Sequence, residues 1–252
     1  MIDWKNTKAA VWRPYSQRLR AVKYYDPIQL DELYGIERQK ERIMANTERF
    51  LAGQPCNHAL LWGSRGTGKS SVVKALLNHY ADKGLRLLEV DKEDLAILPE
   101  IVDEIREEPY RFIVFSDDLS FAEGENSYKH LKSVMEGSIE LPPENVRIYA
   151  TSNRRHLLPE SHSDNAGGGV KGGELHLGDA LEEKISLADR FGLRLSFYPI
   201  SQVQYYEIID SYFPEVENRE QLHILAQRFA TEKGGRSGRT ARQFWNQYGG
   251  EL

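Results

Sequence analysis

Cysteine is nearly missing from this sequence. Cys56 is the only one in 252 residues, so no internal disulfide can form and a reducing cytoplasm is the expected setting. Cys56 itself reads as a small buried filler rather than a nucleophile. Long apolar runs are missing as well. Nothing is long enough to span a bilayer and nothing near the start reads as a secretory signal, so no membrane partner is expected. No internal repeat is present. Neither sign of charge dominates: 33 Lys and Arg against 38 Asp and Glu leave a net charge of −5. That excludes a globally basic nucleic-acid binder but not a local basic patch. What remains is an ordinary globular composition, 40% hydrophobic and 28% charged, in a chain long enough to bury a substantial core.

The stretch that organises the rest is Gly63-Ser64-Arg65-Gly66-Thr67-Gly68-Lys69-Ser70, followed by Ser71. It fits the phosphate-binding pattern G-x-x-x-x-G-K-[ST] at every fixed position. Glycines let the backbone close around a polyphosphate and aim N–H groups at its oxygens. Lys69 is expected to reach the β- and γ-phosphates, the Ser70 hydroxyl to ligate Mg²⁺, and the following helix to present its positive end. Context supports the motif. His58-Ala59-Leu60-Leu61-Trp62 before it has the apolar run of a buried strand. Val72, Val73, Leu76, Leu77 and Tyr80 after it recur at helical spacing.

Four further strands are expected at Leu85–Val90, Phe112–Phe115, Val146–Thr151 and Leu193–Phe197. The second of these ends in Asp117-Asp118, the third in Ser152-Asn153-Arg154-Arg155. In a doubly wound parallel sheet, that end of each strand faces the ligand crevice. Carboxylates there need a cation, and a nucleotide's Mg²⁺ supplies one. Asp117 is therefore assigned to the magnesium shell, Asp118 to orienting the attacking water, and Asn153 to holding that water or the γ-phosphate from the other side. Amphipathic helices are expected around Pro99–Ile105 and Tyr128–Met135. After Pro199, three more follow at Val203–Phe213, Leu222–Phe229 and Arg239–Tyr248. The expected architecture is α/β, with a five-stranded parallel sheet flanked by helices and a small C-terminal helical lid.

Residues 1–25 differ from the rest. Lys5, Lys8, Arg13, Arg18, Arg20 and Lys23 are interleaved with Trp4, Trp12, Tyr15, Tyr24 and Tyr25, and only Asp3 opposes them. Periodicity is weak. The segment reads as an arm pinned by its aromatics to the domain or to a neighbouring subunit, in preference to an arm that binds nucleic acid. Three segments are thus expected: an arm over 1–26, a nucleotide-binding α/β domain over 27–199 and a lid over 200–252. The glycine-rich stretch between Glu160 and Asp179 reads as a mobile loop. Its neighbours His156, His162 and His176 match no metal-binding spacing.

The order of these elements resembles the AAA+ ATPases from about Leu30 to Tyr248. Gly63 to Ser70 looks like their Walker A loop, Phe112 to Asp118 like Walker B, and Asn153 falls at sensor 1. Asp189-Arg190-Phe191-Gly192 resembles the segment carrying the arginine finger, which makes Arg190 the finger. Ser237-Gly238-Arg239-Thr240-Ala241-Arg242 resembles the start of the sensor 2 helix, with Arg239 the better match and Arg242 second. Leu33-Tyr34-Gly35-Ile36 looks like the segment that packs on adenine. Within the superfamily, Ser186 to Leu193 together with Gly238 to Phe244 is similar to a bacterial set of predicted ATPases catalogued as a domain of unknown function, number 815.

The resemblance implies an ATP/ADP and Mg²⁺ binder that hydrolyses ATP to move an oligomer, a ring such as a hexamer, against a protein client. One departure stands out: Asp118 occupies a position where most of the superfamily has Glu, as some initiators and helicase loaders do. A slowly hydrolysing, nucleotide-gated loader or scaffold acting on a DNA-linked partner is the alternative. A small-molecule kinase is the weaker third reading, because it leaves the finger and sensor arginines unexplained.

Overall fold

Parallel strands need crossovers, and their order decides which loops meet. The computed structural model describes residues 2–121, 128–137, 139–154, 157 and 186–250. Its strands are β1 (Ala9–Arg13), β2 (Arg18–Ala21), β3 (Ala59–Gly63), β4 (Leu85–Glu89), β5 (Arg111–Ser116), β6 (Val146–Ser152) and β7 (Leu193–Phe197). They form one seven-stranded sheet in the order β2-β1-β4-β5-β6-β3-β7. All neighbours are parallel except the β1–β2 hairpin. The central strand positions are apolar on both faces, as a sheet covered by helices on each side requires.

The helices are α1 (Glu37–Leu51), α2 (Lys69–Tyr80), α3 (Leu98–Ile105) and α4 (Tyr128–Glu136) around the sheet. At the C-terminal end come α5 (Gln202–Tyr212), α6 (Arg219–Glu232) and α7 (Gly238–Tyr248). One core cluster lies on the α3/α4 face, with Leu98, Ile101, Leu131 and Phe191 against the sheet. A second lies on the α1/α2 face around Ile43, Phe50, Val73 and Leu76. The C-terminal helices hold a third of their own, in which Phe244 lies 5.4 Å from Phe213 and 5.6 Å from Phe229, ring to ring. Residues sharing the face of a helix explain each cluster. In α6, Leu222, Ala226 and Phe229 are buried, and Leu225 is only partly covered.

The expected five strands are present, but the sheet has seven. The additional two come from the N-terminal segment, which is built into the sheet rather than standing apart from it. β1 lies between β2 and β4, so Ala9, Ala10 and Trp12 are all buried. Ala9 packs into one core cluster and Ala10 and Trp12 into the other, so neighbouring positions of β1 are apolar alike and show no polar–apolar alternation before the exposed Arg13. Trp4 is buried too, edge-on to Phe112 at 4.9 Å. Its carbonyl accepts a 2.8 Å hydrogen bond from Nε of Arg86, a buried side chain that also donates to the Ala81 and Leu85 carbonyls. Cys56 is only partly buried and accepts from Arg147 Nε at 3.2 Å.

No helix among the described residues is long and apolar enough to cross a membrane. The glycine-rich stretch and His156, His162 and His176 lie outside the described residues.

Because Trp4 and Trp12 belong to the core, removing residues 2–25 should expose a sheet edge and an apolar face. The truncated chain is expected to aggregate or to melt well below the parent in a thermal scan. Trp4→Ala alone should cost about 3–5 kcal/mol by denaturant titration. Parent-like stability in either variant would count against this packing.

Candidate functional site

The sheet order sets β3 between β6 and β7, with β5 beside β6. The C-terminal ends of β3, β5 and β6 therefore converge on one rim, and the residues that follow each strand meet there. Gly63, at the end of β3, has φ +130°, and a Cβ on it would stand 2.0 Å from the Phe197 carbonyl oxygen of β7. Only glycine fits so close an approach. The next residue, Ser64, donates its backbone N–H to the same oxygen at 3.0 Å. Gly66 and Gly68 also have positive φ, +74° and +94°, and Gly68 is the N-cap of α2. The loop thus wraps the start of α2, where unpaired N–H groups and the helix dipole favour an anion.

Lys69 is buried at 7% exposure in the first turn of α2. Its ammonium donates to the carbonyls of Gly63 at 2.9 Å and Ser64 at 2.7 Å, and to Asn153 Oδ1 at 3.2 Å. Desolvation holds its pKa below the usual lysine value, with nearby Arg65 and Arg239 pushing the same way and Asp117 and Asp118 opposing. Such a group gains most from an added anion.

The carboxylates are held from β6. Thr151 Oγ1 hydrogen-bonds Asp117 Oδ1 and accepts from the Asp118 backbone N–H at 2.9 Å, while its carbonyl accepts from Leu119 N–H at 2.7 Å. Ser70 Oγ donates to the same Asp117 oxygen at 2.7 Å. Asn153 donates to Asp118 Oδ1 at 2.6 Å, so its amide bridges Asp118 and Lys69. Asp118 has φ +51°, a left-handed conformation that costs a non-glycine residue energy and aims its side chain off the strand. These bonds to Thr151 and Asn153 hold it there.

A cleft of about 1060 Å³ opens over this rim. Arg65 to Ser71, Asp117, Asp118, Thr151 and Asn153 line its floor. Leu33, Tyr34 and Ile36 line one side, and Ile200, Ile208, Tyr212, Arg239 and Arg242 line the other. Ile36 is buried in the α1/α2 core, whereas Tyr34 packs on the C-terminal helices. Gly35 joins the two, with its carbonyl accepting from Gln204 Nε2 at 3.3 Å. Gly66 makes a second joint: its carbonyl accepts from Gly238 N–H at 3.1 Å, and the N-cap of α7, Ser237, packs against it.

The structure brings most of the expected residues together. Tyr34, Ile36, Arg65, Gly66, Thr67, Gly68, Lys69, Ser70, Ser71, Asp117, Asp118, Asn153 and Arg239 all line the cleft. Gly35, Gly63 and Ser64 stand behind the lining, where they shape it. Arg242 reaches the cleft with its guanidinium 4.4 Å from the Trp245 ring. Arg190 is elsewhere. Its Nε pairs with Glu136 of α4 at 2.5 Å and its Nη1 donates to the Ser186 carbonyl at 2.5 Å. Thr151 was missed by sequence reasoning. It stands near the end of β6, two residues before Asn153, which follows the strand directly.

The donor set suits a nucleotide's magnesium. Ser70 Oγ and the Asp117 carboxylate are adjacent hard oxygens, the kind of pair that holds Mg²⁺ while water and phosphate complete its shell.

Residues 5–252 match the family model described as "Protein of unknown function (DUF815)". The chain belongs to this family. No curated protein matches the sequence. Among solved structures, a proline-to-glycine variant of RuvB from Thermotoga maritima superposes with a TM-score of 0.57 at 18% identity, over 85% of this chain and 62% of that one. Orc1 from Aeropyrum pernix, solved in complex with DNA, gives 0.57 at 16% identity over 83% of this chain and 58% of that one. The fold of this DUF815 chain is thus that of the AAA+ P-loop ATPases, and it spans about three fifths of the length of these two structures.

Thr151→Val keeps the side-chain volume and removes both hydroxyl bonds. It should cost about 1–3 kcal/mol and weaken Mg²⁺-dependent nucleotide binding, as followed by calorimetry. Thr151→Ser should restore both. Unchanged magnesium dependence in the valine variant would remove Thr151 from the site.

Proposed function

We propose that the protein is an ATPase that binds ATP with Mg²⁺ in this cleft and hydrolyses it to ADP and phosphate. The observation that carries the reading is the hydrogen-bonded chain Lys69–Asn153–Asp118, set beside Ser70 and Asp117 under the glycine loop. The backbone N–H groups of the loop and the start of α2 receive the phosphates. Lys69 leaves its carbonyl partners in part to meet the β/γ oxygens, and so recovers the solvation it lost on burial. Ser70 and Asp117 hold Mg²⁺, which when bound neutralises phosphate charge. Asp118 orients the attacking water and draws on its proton, using the oxygen that Asn153 leaves free. Asn153 fixes that carboxylate's angle and keeps it apart from Lys69. The adenine lies between Tyr34–Ile36 and the lid, and Arg239 reads the γ-phosphate from α7.

Arg190 acts in trans in this proposal, on the nucleotide of a neighbouring subunit in a ring. Its pairing with Glu136 and Ser186 holds it clear of its own cleft. An arginine finger contributes roughly a thousandfold or more in rate, so the isolated subunit should turn over very slowly. A loader or scaffold that binds ATP and hydrolyses it slowly is the second reading. It is favoured by Asp118, which is one methylene shorter than Glu and already accepts from Asn153 at 2.6 Å.

Three variants test the assignment. Lys69→Ala should lose ATP binding in calorimetry, and parent-like affinity would sink the phosphate-loop role. Asp118→Asn should keep binding while hydrolysis falls by roughly 10²–10⁴-fold. A variant that retains turnover would show that the proton goes elsewhere. Arg190→Ala should be nearly inactive alone and regain activity when mixed with Lys69→Ala subunits, each supplying what the other lacks. Mixtures that stay inert, or an Arg190→Ala protein as fast as the parent, would exclude a finger acting between subunits.

A further inference from the structure

The far edge of the sheet carries a charge pattern that the cleft does not use. β2 is the edge strand. Its register sets Arg13 opposite Arg18 and Val11 opposite Arg20, so all three arginines stand on one face of the hairpin. Arg13 and Arg18 have Cβ atoms roughly 5 Å apart, a like-charge pairing that destabilises a bare hairpin. Arg13, Arg18, Arg20 and Lys23 are exposed, and among the described residues none has a carboxylate within ion-pair distance. Lys8, by contrast, is paired with Asp82 at 3.0 Å. No acidic residue occurs from Arg13 to Tyr25, in a chain whose net charge is −5.

Two rings complete the pattern. Tyr15 at the hairpin tip is 105% exposed and Tyr24, just past β2, is 95% exposed. Exposed charges on an edge strand have an ordinary role, which is to block edge-to-edge pairing. That role is served by one or two charges. It does not call for arginines facing each other across the register, or for two tyrosines fully in water. A polyanion removes the repulsion, and guanidinium groups match phosphate oxygens in pairs. The rings add something a simple anion does not use: flat surfaces on which unpaired bases stack.

The geometry points to the β1–β2 hairpin as a binding site for single-stranded nucleic acid, with phosphates on Arg13, Arg18 and Arg20 and bases on Tyr15 and Tyr24. In a duplex the bases stack on one another and are closed to these rings. An anionic membrane offers charge and no bases. Three strands, β4, β5 and β6, separate β1 from β3, so Arg13, Arg18 and Arg20 stand away from the glycine loop, while Asp26, two residues past Tyr24, already lines the cleft.

The test uses the full chain, a fluorescein-labelled oligo(dT) of about 20 nucleotides, a duplex of equal length and phosphatidylglycerol vesicles, across a salt series. Oligo(dT) should bind more tightly than duplex and weaken steeply with salt. Arg13→Gln/Arg18→Gln/Arg20→Gln should lower the salt slope by about 2, since each lost phosphate contact removes roughly 0.7. The triple lysine variant should keep most of that slope. Tyr15→Ala/Tyr24→Ala should weaken oligo(dT) about tenfold with the slope retained. Arg228→Glu, at an exposed cation on α6, should change neither. Thermal melting identifies any variant that is misfolded. Parent-like binding by the folded glutamine variant, unchanged affinity in the tyrosine variant, or vesicles bound in preference to oligo(dT) would each overturn the assignment.

Discussion

A buried lysine without a directly paired carboxylate is the constraint on which this structure turns. Lys69 is held by two main-chain carbonyls and one amide oxygen, and burial works against its charge. Such a cation is tolerated only where every N–H finds a partner. The partners exist because β3 lies next to β6, which delivers Asn153, and because Gly63 lets the loop turn back over the α2 terminus. Asn153 in turn spends its amide donor on Asp118. A single amide thus keeps a cation and an anion in register without joining them in a closed ion pair, and both stay available to a charged ligand.

The same rim is tied to the C-terminal helices at two backbone joints. Gly35 meets Gln204, and Gly66 meets the start of α7. At Gly35 a Cβ would lie 2.7 Å from Gln204 Nε2, and at Gly66 one would lie 2.9 Å from Ser237 Cβ. Any shift of the glycine loop at Gly66 must therefore be taken up by the end of α7 that carries Arg239. The C-terminal helices have an aromatic core of their own, separate from the two core clusters that flank the sheet.

The N-terminal segment serves two purposes that its sequence mixes together. Trp4 and Trp12 face inward and anchor it, while Arg13, Tyr15, Arg18, Arg20 and Tyr24 face water. Basic and aromatic residues look alike along the chain. Strand pairing sorts them, because adjacent positions on a strand point to opposite faces and a hairpin adds the matching face of its partner.

Much of the fold was legible in the chain because its signals are local. A glycine loop needs its glycines, a buried strand reads as an apolar run, and a helix shows its stripe; β3 through β7 and the C-terminal helices follow from that alone. The glycine loop and the paired Asp117-Asp118 were readable for the same reason. Tertiary structure decided the remainder. β1 shows no alternation because Ala9 is buried on one face and Ala10 and Trp12 on the other, against neighbours far along the chain. Thr151 became the brace for the Asp117 carboxylate and the Asp118 backbone only when β6 was laid beside β5. Arg190 was drawn to Glu136 by the fold of α4, 54 residues away in sequence (190 against 136). Residue types determined which groups could grip a phosphate, since that chemistry belongs to each side chain. Which of them meet, and at what distance, depended on strand order, since hydrogen bonds act only over about 3 Å.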